Sequence, residues 1–291
     1  MRLAFAALLA LSALVAGCAS ISESLDSNLL FRSRPADPER LARVSRIEGV
    51  EEVRIPTPEG ITLHGWLKRA PGAAKGERFP LVIVFGGVAR ETSWMVGWGD
   101  KPPAWGWLMV NYRGFGLSGG VPTEHAVLED SKRVYDWAAE RADVDASNIV
   151  VLGRSLGSYV AVAVAAARHA RAAILATPFD SAVALGEKRF PHLPVRWFVG
   201  DRFDPAALAP AVSVPALFVL AENDEITPVE NGRALAKKWG GLKELVLLRG
   251  ATHSGIEARE EFWGSVATFL KGIAPQPLKV SSAVPVPSRG R

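Results

Sequence analysis

Short, unbroken apolar runs recur through the middle of the chain: 81–85 (LVIVF), 107–112 (WLMVNY), 149–152 (IVVL), 172–176 (AAILA), 216–220 (ALFVL) and 245–248 (LVLL). They lack polar alternation, which is the pattern of strands covered on both faces, as in a parallel sheet. Between several of them lie longer amphipathic stretches. Residues 124–141 put Val127, Val134, Trp137 and Ala138 toward one side and Glu129, Lys132, Arg133 and Asp136 outward, the spacing of a surface helix. Residues 156–168 are nearly all apolar, so that helix is expected to be central and covered. Further helices are expected over 229–239 and 257–271. Upstream, 51–55 and 61–67 read as an antiparallel pair turning at Pro58-Glu59-Gly60. Together these elements predict an α/β fold, a doubly wound and mostly parallel sheet with helices on both faces. Such sheets bind ligands at the carboxyl ends of their strands.

The two ends break this rhythm. Residues 3–16 form an apolar run behind Met1-Arg2. It is shorter than the roughly 20 residues that span a bilayer core and fits the apolar region of an export signal. Val15-Ala16-Gly17-Cys18 resembles the lipobox of bacterial lipoproteins, and Cys18 is the sole cysteine. The resemblance implies a signal peptide over 1–17, cleavage before Cys18 and lipidation of its thiol. Several acyl chains hold a protein stably on a membrane, so the membrane surface becomes an expected partner. Ala19, not Asp, follows the cysteine. In a Gram-negative host that favours the outer membrane, facing the periplasm. Residues 18–48, rich in Ser, Arg, Asp and Pro, read as a tether with a short helix around Pro38–Arg46. Residues 274–291 (APQPLKVSSAVPVPSRGR) read as a disordered tail. The folded core is expected over 49–273.

Composition narrows the chemistry. A 48% hydrophobic content in 291 residues allows a sizeable core. The net charge of +4 is spread over scattered Lys and Arg, so no nucleic-acid patch is expected. One cysteine excludes an intrachain disulfide and a Cys-based metal site. No metal or organic cofactor is expected.

Gly153-Arg154-Ser155-Leu156-Gly157 follows one buried run and opens the most apolar helix. In that setting G-x-S-x-G resembles the nucleophile elbow of α/β-hydrolases. The turn is so sharp that side chains on the flanking positions would clash, hence glycine. A second match, Gly116-Leu117-Ser118-Gly119-Gly120, is a useful control. No apolar run leads directly into it and Val121-Pro122 follows, so it reads as a Gly-rich loop. Ser155 is the expected nucleophile.

A serine hydroxyl needs a base, and the base needs an orienting carboxylate. The α/β-hydrolase order is Ser, then Asp or Glu, then His. Among five histidines (His64, His125, His169, His192 and His253) only His253 follows the last apolar run in a loop. The loop after 216–220 offers Glu222, Asp224 and Glu225. Asp224, followed by an apolar residue and Pro, matches the family pattern, while Asp201 and Asp204 lie a strand too early. Oxyanion donors are implied at the backbone N–H of Leu156, after the nucleophile, and in the loop after 81–85. There relatives often carry His-Gly-x where this chain has Gly86-Gly87-Val88. By alignment the donor is Val88 N–H, with Gly87 as the alternative.

The chain as a whole resembles a small α/β-hydrolase of the serine aminopeptidase-like or dienelactone-hydrolase-like branch, over about residues 50–271. Asn111-Tyr112-Arg113-Gly114-Phe115-Gly116-Leu117-Ser118-Gly119 resembles that branch's Y-R-G-x-G-x-S loop. Leu193–Trp197 and Asp201–Asp204 resemble its short crossing segment. The region 178–214 is too short for a large lid, so a minimal cap is expected. Trp94, Trp98, Trp105 and Trp107 fall near the oxyanion loop and either line an acyl pocket or pack the core. The implied function is hydrolysis of small-molecule carboxylic esters, or of thioesters or amides, through an acyl-enzyme. The alternatives are a cell-envelope acyltransferase, which differs only in the acceptor, and a non-catalytic envelope lipoprotein that uses the fold as a binding module.

Overall fold

The computed structural model describes residues 31, 35–74, 76–102, 104–199 and 203–273. Cys18, the signal segment 1–17 and the Pro-rich tail 274–291 lie outside the described residues.

The apolar runs form eight strands in one sheet: β1 (Val50–Pro56), β2 (Thr62–Lys68), β3 (Phe79–Phe85), β4 (Gly106–Val110), β5 (Val144–Arg154), β6 (Ala172–Ala176), β7 (Ala216–Asn223) and β8 (Lys243–Thr252). Their order is β1-β2-β4-β3-β5-β6-β7-β8. The first two pairings, β1 with β2 and β2 with β4, are antiparallel. All later neighbours run parallel. The sheet is therefore the mostly parallel, doubly wound one that the pattern predicts.

Helices α1 (Pro38–Val44), α2 (Glu124–Glu140), α3 (Leu156–Ala167), α4 (Ala182–Arg189), α5 (Val195–Val199), α6 (Pro205–Leu208), α7 (Val229–Lys238) and α8 (Glu260–Ile273) surround it. Each face of the sheet carries its own apolar layer. On one side Val160, Val164 and Ala161 of α3 pack with Ile83, Val151 and Phe218. On the other, Phe262, Val266 and Leu270 of α8 pack with Val82, Leu152 and Val219. Nine of the twelve α3 residues are buried, which fits a central helix with no polar face. The helices α4 to α6 form a short cap between β6 and β7.

Two local expectations need correction. The run 245–248 does not lie buried on both faces, because β8 is the sheet's edge and leaves Leu245 and Leu247 exposed. The stretch 18–48 is not a free tether throughout. Phe31 is 1% exposed, with its ring centroid 6.4 Å from Phe115 and 6.2 Å from Phe203, and Val44 of α1 is also buried. The Ser, Arg and Pro around these two residues mask them in a composition average.

Candidate active site

The site is built at the carboxyl end of β5. The chain enters the turn at Gly153, reverses at Ser155 and starts α3 at Leu156. A Cβ on Gly153 would lie 2.1 Å from the Gly157 carbonyl oxygen, and one on Gly157 would lie 1.9 Å from that of Phe85. Only glycine fits at either place, and the reason is the steric one anticipated from sequence. Ser155 itself has φ 55° and ψ −123°, a region costly for a residue with a side chain, by roughly 1–3 kcal/mol. Its N–H donates to the Ala176 carbonyl at 3.0 Å, which fixes the strained residue to β6.

The hydroxyl of Ser155 lies 3.0 Å from Nε2 of His253. His253 follows β8, and its Nδ1 lies 2.9 Å from both carboxylate oxygens of Asp224. Asp224 follows β7. Residues 98 and 29 positions apart in sequence thus form one hydrogen-bonded chain. With the ring hydrogen on Nδ1, His253 donates to Asp224 and Nε2 accepts from the serine hydroxyl. His253 and Asp224 are buried, so the pair is shielded from water on the side away from Ser155.

Asp224 is held by more than the histidine. Its Oδ1 accepts from the N–H groups of Ile226 (2.9 Å) and Thr227 (2.6 Å), and its Oδ2 lies 3.0 Å from the Thr227 hydroxyl. Burial pushes the Asp224 carboxyl up, but the bonds from His253, Thr227 and Ile226 outweigh it and hold the group below its ordinary value. Thr227 Oγ1 also lies 3.0 Å from the Thr177 carbonyl and 3.1 Å from His253 Nδ1. Nothing in the sequence singled out Thr227.

Arg154, the variable residue before the nucleophile, was also missed. Its guanidinium donates to the His253 carbonyl at 2.8 Å and to Glu257 at 3.2 Å. It ties the histidine loop to the strand that carries Ser155. The x of G-x-S-x-G gives no such signal in sequence, because Glu257 lies about a hundred positions away.

The loop after β3 passes directly over the nucleophile. A Cβ on Gly87 would stand 3.6 Å from that of Ser155, and Val88 lines the same cleft. The Tyr112 hydroxyl donates to the Gly86 carbonyl at 2.9 Å and braces the loop from below. Burial drives the Tyr112 hydroxyl's pKa far above its ordinary value, so it stays a donor. Leu156 is the first residue of α3, and N–H groups of a helix's first turn have no intrahelical acceptor.

The control serine behaves differently. Ser118 is buried, donates to the Asn111 carbonyl at 3.0 Å and accepts the His64 N–H at 2.9 Å. Its loop is fixed by Arg113, which makes two bonds to Asp130 at 2.7 and 2.6 Å. His64 is buried beside Asn111, and burial lowers its pKa. None of this reaches Ser155.

A cleft of about 290 Å³ opens over the hydroxyl, lined by Gly87, Val88, Arg90, Trp94, Ile226 and Glu257 among others. Of the four nearby tryptophans only Trp94 reaches it, while Trp98, Trp105 and Trp107 are core. Trp94 stacks edge-on to Trp98, which in turn meets Trp263, so the cleft wall is continuous with the core. Among the described residues no group of three or more His, Cys, Asp or Glu is placed to hold a metal ion.

Comparison with known proteins gives the family. The family model described as Serine hydrolase matches residues 120–272. The chain belongs to the serine hydrolase family. That span runs from the Gly-rich loop through the elbow to α8. An uncharacterised protein of Mycobacterium tuberculosis strain H37Rv is 29% identical over 208 residues, covering 71% of this chain and 73% of that protein. The alpha/beta hydrolase domain-containing protein WAV2 of Arabidopsis thaliana is 25% identical over 277 residues, with 86% of each chain covered. Among solved structures, an acetyl xylan esterase from Paenibacillus sp. R4 superposes with a TM-score of 0.63 at 18% identity, over 86% of this chain and 98% of that one. The Pyrococcus furiosus esterase Pf2001 gives 0.61 at 17% identity, over 84% and 97%. The structural likenesses show the α/β-hydrolase fold. This serine hydrolase is an enzyme of that superfamily.

Proposed function

We propose that this serine hydrolase cleaves carboxylic esters through an acyl-enzyme formed on Ser155. The observation that carries the reading is the unbroken chain from Ser155 Oγ through His253 to Asp224, with links of 2.9–3.0 Å. Ser155 Oγ attacks the ester carbonyl while His253 Nε2 takes its proton. The proton passes to the leaving alkoxide, which departs as an alcohol. Water then attacks the acyl carbon, again giving a proton to His253, and the acid leaves as Ser155 recovers its hydrogen. Asp224 keeps the imidazole in the tautomer that accepts at Nε2 and stabilises the imidazolium. The N–H groups of Val88 and Leu156 hold the developing oxyanion, each contributing about 3–4 kcal/mol to the transition state. The reaction so written uses only the chain's own side chains and backbone N–H groups, with water. The size of the cleft suits an ester with a compact acyl portion.

The test is Ser155→Ala. It is expected to lower turnover of short nitrophenyl esters by about 10⁶, with an unchanged circular-dichroism spectrum. Retention of a tenth of wild-type turnover would rule the reading out.

We further propose that the enzyme works at the cell envelope, held by lipid on Cys18. The support is the sequence of residues 1–18, with its apolar run, Gly17 and the chain's sole cysteine. Among the described residues no helix is long and apolar enough to cross a membrane, and attachment through Cys18 needs none.

A further inference from the structure

The segment between β6 and β7 carries three large, exposed apolar side chains. Phe190 is 53% exposed, Leu193 56% and Trp197 86%. Of the chain's nine tryptophans, all described, Trp197 is the one that faces solvent. A side chain of that size does not stay in water without a use, and clustered apolar tips mark an interaction site.

These tips stand on a braced support. Gly186 of α4 approaches α5 so closely that a Cβ there would meet Val195 at 2.5 Å. Val195 is buried, so α5 turns Val195 inward and Trp197 outward. Pro191 and Pro194 stiffen the link between the two helices.

Charge indicates what covers the face. Residues 188–199 read KRFPHLPVRWFV and contain Lys188, Arg189 and Arg196 but no Asp or Glu. In sequence the flanking acids are Glu187 and Asp201. Glu230 meets Lys188 at 3.3 Å, with both side chains exposed, and such surface pairs are weak. Trp, Phe and Leu interleaved with Lys and Arg is the composition that settles into a lipid headgroup layer. A second copy of this face is a poor partner, since the cations of the two copies would oppose each other.

We propose that the cap face formed by Phe190, Leu193 and Trp197, with Arg189, docks on an anionic lipid surface. The Lys188–Glu230 contact places α4 beside the start of α7, directly after Ile226. Ile226 lines the cleft and is itself 55% exposed. The docking does not depend on the hydrolytic reading, and it is separate from attachment through Cys18.

The test uses the full chain with large vesicles of phosphatidylglycerol and dibrominated phosphatidylcholine, read by tryptophan fluorescence. Bromine quenches rings that enter the lipid, and residues 1–30 contain no tryptophan, so insertion of the N-terminus is silent. Wild-type fluorescence is expected to fall, and Trp197→Phe to lose at least about half of that quenching. Arg189→Glu is expected to raise the lipid concentration needed by about tenfold, with little binding to vesicles of phosphatidylcholine alone. Labelling of these variants by a fluorophosphonate should stay within about twofold of wild type, which keeps a failure of docking distinct from a failure of catalysis. Equal quenching of wild type and Trp197→Phe would overturn the proposal. So would a dimer in sedimentation that Leu193→Asp splits, because the face would then belong to a second copy.

Discussion

Asp224 shows how one side chain carries both chemistry and stability. Its carboxylate accepts from His253, from two backbone N–H groups and from Thr227, so its pKa sits below the ordinary value despite burial. A carboxyl depressed in the folded state adds stability above its unfolded pKa and loses it as pH falls through the folded one. Wild type should therefore lose thermal stability on acidification below the ordinary Asp range. Asp224→Asn should flatten that part of the profile, as read by melting temperature against pH. The same variant presents an amide N–H or carbonyl to His253 and favours the wrong tautomer, so kcat should fall by about 10⁴. At this scale the sequence is legible where a motif is local. Ser155 is marked by four neighbours and a flanking strand and helix. Thr227, Arg154 and Asp130 carry no such mark, because their partners at Thr177, Glu257 and Arg113 come together only in the fold.

Among the elements, the junction of β5 and α3 does most to position the site. Strand, loop and helix approach closely enough there that the Gly157 position touches the Phe85 carbonyl. Gly157→Ala would drive its new methyl into that backbone. It should therefore push α3 away from β3, with loss of soluble protein or a melting-temperature drop on the order of 10 °C; an unperturbed melt would contradict the account of the elbow. The long elements were readable because their apolar spacing is set by burial. All eight strands and the four main helices follow the hydrophobic pattern. The cap helices were not, since α4, α5 and α6 have eight, five and four residues, too few to show a period. β8 misled for a different reason. Its apolar run matches a central strand, but the sheet ends there and two of its leucines meet solvent.

At the scale of the whole molecule, packing links α3 back to Phe31. The domain begins earlier than the composition shift suggests, since Phe31 is inserted between Phe115 and Phe203. Phe203 also meets Tyr159 of α3, so Phe31 is linked through Phe203 to the helix that follows Ser155. About a dozen residues then separate Cys18 from its first anchor on the domain, which would hold the enzyme within a few nanometres of a membrane. Cys18→Ser is expected to move the protein from the membrane pellet to the soluble fraction. Its recovery in the pellet, unchanged after a high-salt wash, would count against lipid attachment.

The most direct measurement is mass spectrometry of the full chain after exposure to a fluorophosphonate. The account predicts one adduct, mapped to the peptide carrying Gly153–Gly157 and absent from Ser155→Ala. An unmodified protein, or an adduct at Ser118 that persists in that variant, would contradict it.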